Sequence, residues 1–188
     1  MKMPLQKLIR KSLGILLCLL ALTPRPACAQ SREYQIKAAF LFNFAQFIEW
    51  PAGTYAATNA PFSIGILGDD PFGAALDDTV QGETIASHKL IVRRSQKIAD
   101  LGGCQMIFVS KSEKKRLAEI LSALDSRPVL TVSEVEGFTR SGGGINFYLD
   151  GSKVRFEINP AAAQNDGLKI SSQLLSLGKI VPTAKEAP

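Results

Sequence analysis

Apolar residues recur at helical spacing from Glu33 to Ile48 (EYQIKAAFLFNFAQFI), where Ile36, Phe40, Phe44, Phe47 and Ile48 share one stripe and no breaker intervenes before Trp50-Pro51. The spacing predicts a long, strongly aromatic helix. Four short apolar runs then read as strands: Phe62–Leu67, closed by Gly68-Asp69-Asp70, His88–Arg93, Gln105–Ser110 and Val129–Val132. The third of these, QMIFVS, is almost wholly apolar, as a strand buried on both faces must be. Helices are expected between them. Pro71 opens one that runs to about Val80. Ser110 and Glu113 have the spacing of a capping box before a segment with Leu117, Ile120, Leu121 and Leu124 on one side and Lys114, Lys115, Arg116 and Glu119 on the other. Ser133–Gly137 reads as a capped turn. Further on, Ile145–Leu149 (INFYL) and the alternating Lys153–Ile158 (KVRFEI) flank the hairpin signal Asp150-Gly151, which predicts antiparallel pairing. Asn159-Pro160 then starts a short alanine-rich helix stopped by Gly167, and Ser171-Ser172 starts a last one through Leu177.

Strands alternating with helices over the first two thirds imply a parallel sheet, and the late hairpin adds antiparallel strands at one edge. The expected fold is α/β: a single three-layer Rossmann-like domain over residues 30–181, with a mostly parallel sheet, an antiparallel edge hairpin and a long N-terminal helix. The tail 182–188 (PTAKEAP) has the composition of a disordered end.

Before this domain the pattern changes. Residues 1–12 carry four positive charges, Leu13–Leu22 is an uncharged apolar run, and Thr23-Pro-Arg-Pro precedes Ala27-Cys28-Ala29. That order is a secretory signal peptide over residues 1–29, cleaved after Ala29, and its apolar run is too short for a retained anchor. The leader changes the meaning of the charge. The chain has 22 Lys+Arg against 17 Asp+Glu, a net +5, but Lys2, Lys7, Arg10, Lys11 and Arg25 lie in the leader with no acid beside them. Without those five the two signs balance, so attraction to nucleic acid or anionic lipid loses its support. The expected compartment is the periplasm.

Candidate chemistry is sparse. His88 is the only histidine, so neither a catalytic triad nor a zinc site can be assembled from nearby residues, and no catalytic set, metal or cofactor is expected. Gly65–Gly73 lacks phosphate-loop spacing, Asp77-Asp78 point apart on a helix, and Arg93-Arg94 with Lys97 has no aromatic residues for base stacking. Loss of the leader removes Cys18 and Cys28 and leaves Cys104, either a buried small hydrophobe or a redox candidate. Ser171 and Ser172 at a helix start beside Lys169, with Arg155 on the preceding strand, form a candidate small-anion corner. Phe42, Phe47 and Trp50 on the aromatic helix are candidate partner anchors. Two classes of function stay open, a protein-binding module and a small-ligand sensor or transport accessory using the Arg155/Lys169/Ser171 corner, while a third, an exported enzyme, is disfavoured by the missing His, Cys and metal sets.

Five ordered blocks carry a further signal: Lys37–Pro51 (KAAFLFNFAQFIEWP), Phe62–Pro71 (FSIGILGDDP), Gly144–Phe147 (GINF), Lys153–Asn159 (KVRFEIN), and Gly167–Leu175 (GLKISSQLL) with Lys179–Val181 (KIV). Together they resemble the YfiR family from about Tyr34 to Val181. The resemblance implies a periplasmic regulator without catalytic activity. Such a protein docks on the periplasmic sensor domain of an inner-membrane diguanylate cyclase and holds it inactive, keeping cyclic-di-GMP and biofilm formation low. Envelope stress, redox change or a competing OmpA-like outer-membrane lipoprotein releases it, and members dimerise. The best-known member relies on cysteine pairs, whereas here only Cys104 has a counterpart and Gly65 and Asn146 carry no thiol. Disulfide gating of that kind is therefore not expected.

Overall fold

A computed structural model describes residues 26–55, 57 and 59–182. The charged and apolar parts of the expected leader, and the tail beyond Pro182, lie outside the described residues. Helix α1 spans Pro26–Phe47, beginning seven residues before Glu33 and crossing the Ala29–Gln30 bond. Proline is tolerated in a first helical turn, where its missing N–H forfeits no bond, so Pro26 does not stop it. The buried stripe of α1 is also rotated from the expected one. It consists of Tyr34, Lys37, Ala38, Leu41, Phe44 and Ala45 and continues into Ile48, while Phe40 and Phe47 are half-buried and Ile36 is exposed. Aromatic residues encircle this helix, so hydropathy alone does not select the face. Ile48 leaves the helix because Ile48–Glu49 (β1) finds an antiparallel partner in Lys169–Ile170 (β9), with Ile48 opposite Ile170.

The main elements follow as β2 (Phe62–Leu67), α2 (Ala74–Val80), β3 (Thr84–Ile85), β4 (His88–Ser95), β5 (Met106–Val109), α3 (Leu117–Leu124), β6 (Leu130–Ser133), β7 (Ile145–Asp150), β8 (Lys153–Ile158), α4 (Pro160–Asn165), α5 (Ser172–Leu177) and β10 (Lys179–Ile180). Eight strands make one sheet in the order β10-β8-β7-β6-β5-β2-β4-β3. Pairing is parallel from β4 through β2, β5 and β6 to β7 and between β8 and β10, and antiparallel for β3–β4 and β7–β8. The expected mostly parallel sheet with an antiparallel hairpin is thus present. The hairpin turns one residue later than its Asp150-Gly151 signal, with Asp150 opposite Lys153 and Gly151 at φ +60° in the loop.

Parity along the central strands separates two apolar layers. Phe62, Ile64 and Ile66 of β2 and Met106 and Phe108 of β5 face a first core shared with α1, while Leu67, Ile107 and Val109 face a second core shared with Ile120 and Leu124 of α3. Every residue of β2, β5 and β6 is buried, as central parallel strands covered on both faces require. Gly65 lies on the second face, where a Cβ would meet Cys104 Sγ and Leu101 Cδ1 at 3.2 Å. Gly68 ends β2 at φ +87°, and a Cβ there would come within 2.3 Å of Ser112 Oγ.

Local capping departs from the sequence reading at one point. Ser110 Oγ accepts from Ser112 N–H at 3.5 Å, and Lys111–Arg116 is a 3-10 helix ahead of α3. Glu113 does not reach back to complete a capping box; it is buried and accepts from Arg116 at 3.1 Å. The caps at Asn159 and Ser171 form as expected, accepting from Ala162 N–H at 3.0 Å and Leu174 N–H at 3.2 Å. Arg94 is spent on the fold, binding Asp70 and Asp77 at 2.7 and 2.6 Å, as is Arg93, which donates to the Asp100 and Gly102 carbonyls at 2.7 and 3.1 Å.

Candidate functional site

The most concentrated chemistry lies where α1 crosses the carboxyl end of β6. Lys37 sits on the buried stripe of α1, one turn from Leu41 and two from Phe44, and is only 2% exposed. A lysine so deeply buried must be paired. Its ammonium donates to Glu33, one turn earlier, and to Glu134, which directly follows β6 and is 97 residues away in sequence. Glu134 is itself buried and accepts from the Tyr34 hydroxyl at 2.9 Å, with Lys111 Nζ 3.6 Å from its second oxygen. Lys37 Nζ also lies 4.6 Å from the Tyr34 ring centroid, within cation–π range. Burial first, and the negative charge of Glu134 second, push the Tyr34 phenol far above its ordinary range, so it stays a donor.

A cleft of about 420 Å³ opens beside this network, walled by Lys37, Glu134 and β7 residues from Asn146 to Leu149. Its floor is fixed by polar contacts. In the amide orientation that its neighbours require, Asn146 donates to the Ser133 and Val135 carbonyls at 3.1 Å, and the Thr139 hydroxyl donates to Glu157 at 2.6 Å. Glu33, Lys111, Glu136, Gly137, Arg140 and Glu157 complete the lining. Carboxyl ends of parallel strands are where open α/β sheets receive ligands. Chemically, the network itself is closed: two carboxylates and two ammonium groups satisfy one another, and no nucleophile is paired with a base. Among the described residues there is no cluster of three or more His, Cys, Asp or Glu able to hold a metal. The arrangement tethers α1 to the sheet.

Further along, the exposed positions of α1 from Gln35 to Gln46 are Gln35, Ile36, Ala39, Asn43 and Gln46, with no charge among them. Phe42, Phe47 and Trp50 are half-buried and pack against the first core. Trp50 meets Phe62 edge-on at 5.1 Å, and its indole N–H donates to the Ala45 carbonyl at 3.2 Å.

The YfiR/HmsC-like family model matches residues 34–179, from Tyr34 in the ion network to the first residue of the last strand. The chain belongs to that family. YfiR/HmsC-like proteins are non-catalytic periplasmic regulators in cyclic-di-GMP signalling, and no described helix of this one is long and apolar enough to cross a membrane.

In this YfiR/HmsC-like chain the anion corner is not assembled. Val154, Phe156 and Ile158 of β8 face the first core, so Arg155 between them points to the opposite face of the sheet. Lys169 and Ser171 stay on the α1 side, where Ser171 N–H donates to the Phe47 carbonyl at 3.0 Å and Lys169 pairs with Glu49 at 3.3 Å. Strand period decides this, because Arg155 shares its face with Glu157 and not with Phe156. Ser171 is spent as a helix cap, with Ser172 the first residue of α5.

Cys104 is 2% exposed among Leu101, Ile107 and Val109 of the second core, and burial pushes its thiol upward. A thiol held protonated and shielded is slow to react. In folded protein prepared without residues 1–29, so that Cys104 is its one thiol, Ellman's reagent is expected to modify Cys104 at least ~100-fold more slowly than in urea, because reaction waits on opening of the structure. Comparable rates in the two conditions would show the thiol to be accessible.

The sequence reading missed Lys37, Glu33, Glu134 and Tyr34. One signal was present: Lys37, Leu41, Phe44 and Ile48 lie on a single helical stripe, which places a lysine where only apolar residues are expected.

Proposed function

We propose that the chain is exported, cleaved after Ala29, and acts in the periplasm by docking on the periplasmic sensor domain of an inner-membrane diguanylate cyclase. Docking holds the cyclase inactive and keeps cyclic-di-GMP and biofilm formation low. A competing OmpA-like outer-membrane lipoprotein would reverse it by capturing the regulator, which works as a homodimer. The observation that carries this reading is the family match over residues 34–179, nearly all of the expected mature domain. The uncharged outer face of α1, with Phe42, Phe47 and Trp50 at its margins, supports it as the docking face. Inhibition then follows from population shift: the regulator must bind the inactive sensor conformation more tightly, since equal affinity for both states shifts nothing.

Deleting the gene is expected to raise intracellular cyclic-di-GMP, and an unchanged level in cells that carry the cyclase would overturn the reading. The docking face is tested separately with Ala39→Arg, at an exposed position in the middle of the face. The purified variant should keep its melting temperature to within about 2 °C, as exposed substitutions usually do. Its affinity for the sensor domain should fall at least ~10-fold, the effect of about 1.4 kcal/mol at an interface. Full affinity in the variant would move the docking site elsewhere.

A further inference from the structure

Strand β7 outlasts its neighbour on one side. β8 pairs with it along its whole length, from Ile145 to Asp150, whereas β6 pairs only with Ile145 and Asn146. The phase of the ladder fixes which peptide groups are left over. Asn159 N–H donates to the Gly144 carbonyl at 2.8 Å, so Asn146, Tyr148 and Asp150 are the residues of β7 that bond towards β8. The bond from Val181 N–H to the Ile158 carbonyl, on the far side of β8, has the same phase. Phe147 and Leu149 therefore turn their peptide groups the other way. Beyond the end of β6 the Phe147 carbonyl and both groups of Leu149 meet no described strand, and they open on the cleft that Phe147, Tyr148 and Leu149 help to line. The side chains are equally unfinished. Leu149 stands opposite Val154, on the face of Phe147 and the first core, yet it is 52% exposed, and Tyr148 on the reverse face is 37% exposed. An open edge carrying large apolar side chains is a template for a further strand.

We propose that this edge is the seam of the homodimer, with β7 of one copy antiparallel beside β7 of a second and Leu149 opposite Leu149 on the two-fold axis. This seam presupposes the homodimer proposed above and says where it closes. A second copy fits because the edge is self-complementary. Leu149 presents both its N–H and its C=O, so the two-fold pair exchanges two bonds and leaves neither group over. Each Leu149 then covers its counterpart and carries the apolar layer of Phe147 and Val154 across the seam. In the same register Asp150 of the second copy falls opposite Tyr148, which shares the cleft lining with Arg140. Arg140 is exposed and makes no ion pair among the described residues, while Asp150, its side chain 69% exposed, reaches only Arg155 at 3.9 Å. Acid and base thus face each other across the seam, twice by symmetry.

The test is sedimentation equilibrium of protein prepared without residues 1–29, beside Leu149→Arg, Asp150→Arg and the charge exchange Asp150→Arg with Arg140→Asp. Leu149→Arg sets two like charges directly across the axis, and the dimer dissociation constant should rise at least ~100-fold, roughly tenfold for each of the two substitutions in one seam. The position is exposed, so the protomer should keep its circular dichroism spectrum. Asp150→Arg should weaken the dimer as well, and the exchange should restore at least half of that loss on a logarithmic scale. Leu149→Cys locates the seam independently. Diamide, which takes up the two protons and two electrons of a thiol pair, should join two copies of this variant at position 149, because paired strands bring those Cα atoms to about 5.5 Å, within disulfide reach. The parent, whose Cys104 is buried, should stay unjoined. A dimer untouched by Leu149→Arg and not joined through Leu149→Cys would overturn this seam and leave the homodimer standing, whereas a protein monomeric at every concentration would overturn both.

Discussion

Replacing Lys37 with methionine is expected to destabilise the folded chain by about 3–5 kcal/mol, the cost of leaving a buried charge without its partner. The lower end applies, because the Tyr34 hydroxyl at 2.9 Å and Lys111 at 3.6 Å still reach Glu134. Methionine retains most of the apolar length of lysine, so the loss reports the charge and not a cavity. Pairing the change with Glu134→Gln removes the orphaned carboxylate, and the double variant should recover at least half of the loss. Urea denaturation followed by circular dichroism measures all three proteins, and the double-mutant cycle isolates the coupling. A single variant that loses less than about 1 kcal/mol would place the pair among weak surface ion pairs, despite a side chain 2% exposed on one partner and 4% on the other.

Phe44→Ala should cost about 3–5 kcal/mol as well, by a different route. Phe44 is fully buried, stacks on Phe147 and Phe40 at 5.6 and 5.9 Å, and meets Phe156 edge-on at 5.0 Å. Truncation removes these ring pairs and leaves a cavity between α1 and the β7–β8 hairpin. Phe44→Leu keeps much of the volume and should cost only about 1–1.5 kcal/mol. The same denaturation experiment distinguishes them; equal losses for alanine and leucine would mean that ring geometry, and not volume, sets the energy. With total stability of a domain at about 5–15 kcal/mol, the Lys37 and Phe44 changes together should leave little folded protein. Both act where α1 is fixed to the sheet, so both should weaken the proposed docking face even though neither belongs to it.

How much was legible depends on how far apart the deciding residues lie. The six longer strands of the main sheet and the long helix follow from local period, and the Asn159 and Ser171 caps satisfy N–H groups only three residues on, so each is written in its own segment. The Ser110 capping box failed because Glu113 found a better use in the buried layer beside Arg116, a contact that local spacing does not weigh. The anion corner failed for the same reason on a larger scale. Arg155, Lys169 and Ser171 are close in sequence, yet the alternation of β8 and the pairing of β9 with β1 send them to opposite faces.

Sequence by itself determined the class of fold, the order of its longer elements, the balanced charge beyond Ala29 and the family, because each is carried by composition, short-range period or ordered local blocks. Tertiary structure alone decided which stripe of α1 is buried, that Lys37 has a carboxylate waiting 97 residues away, and that Cys104 is sealed beside Gly65. The physical reason is the same in each case. An aromatic helix can bury several faces at similar gain per unit area, and a buried charge is tolerable only against a partner that the fold brings from a distance.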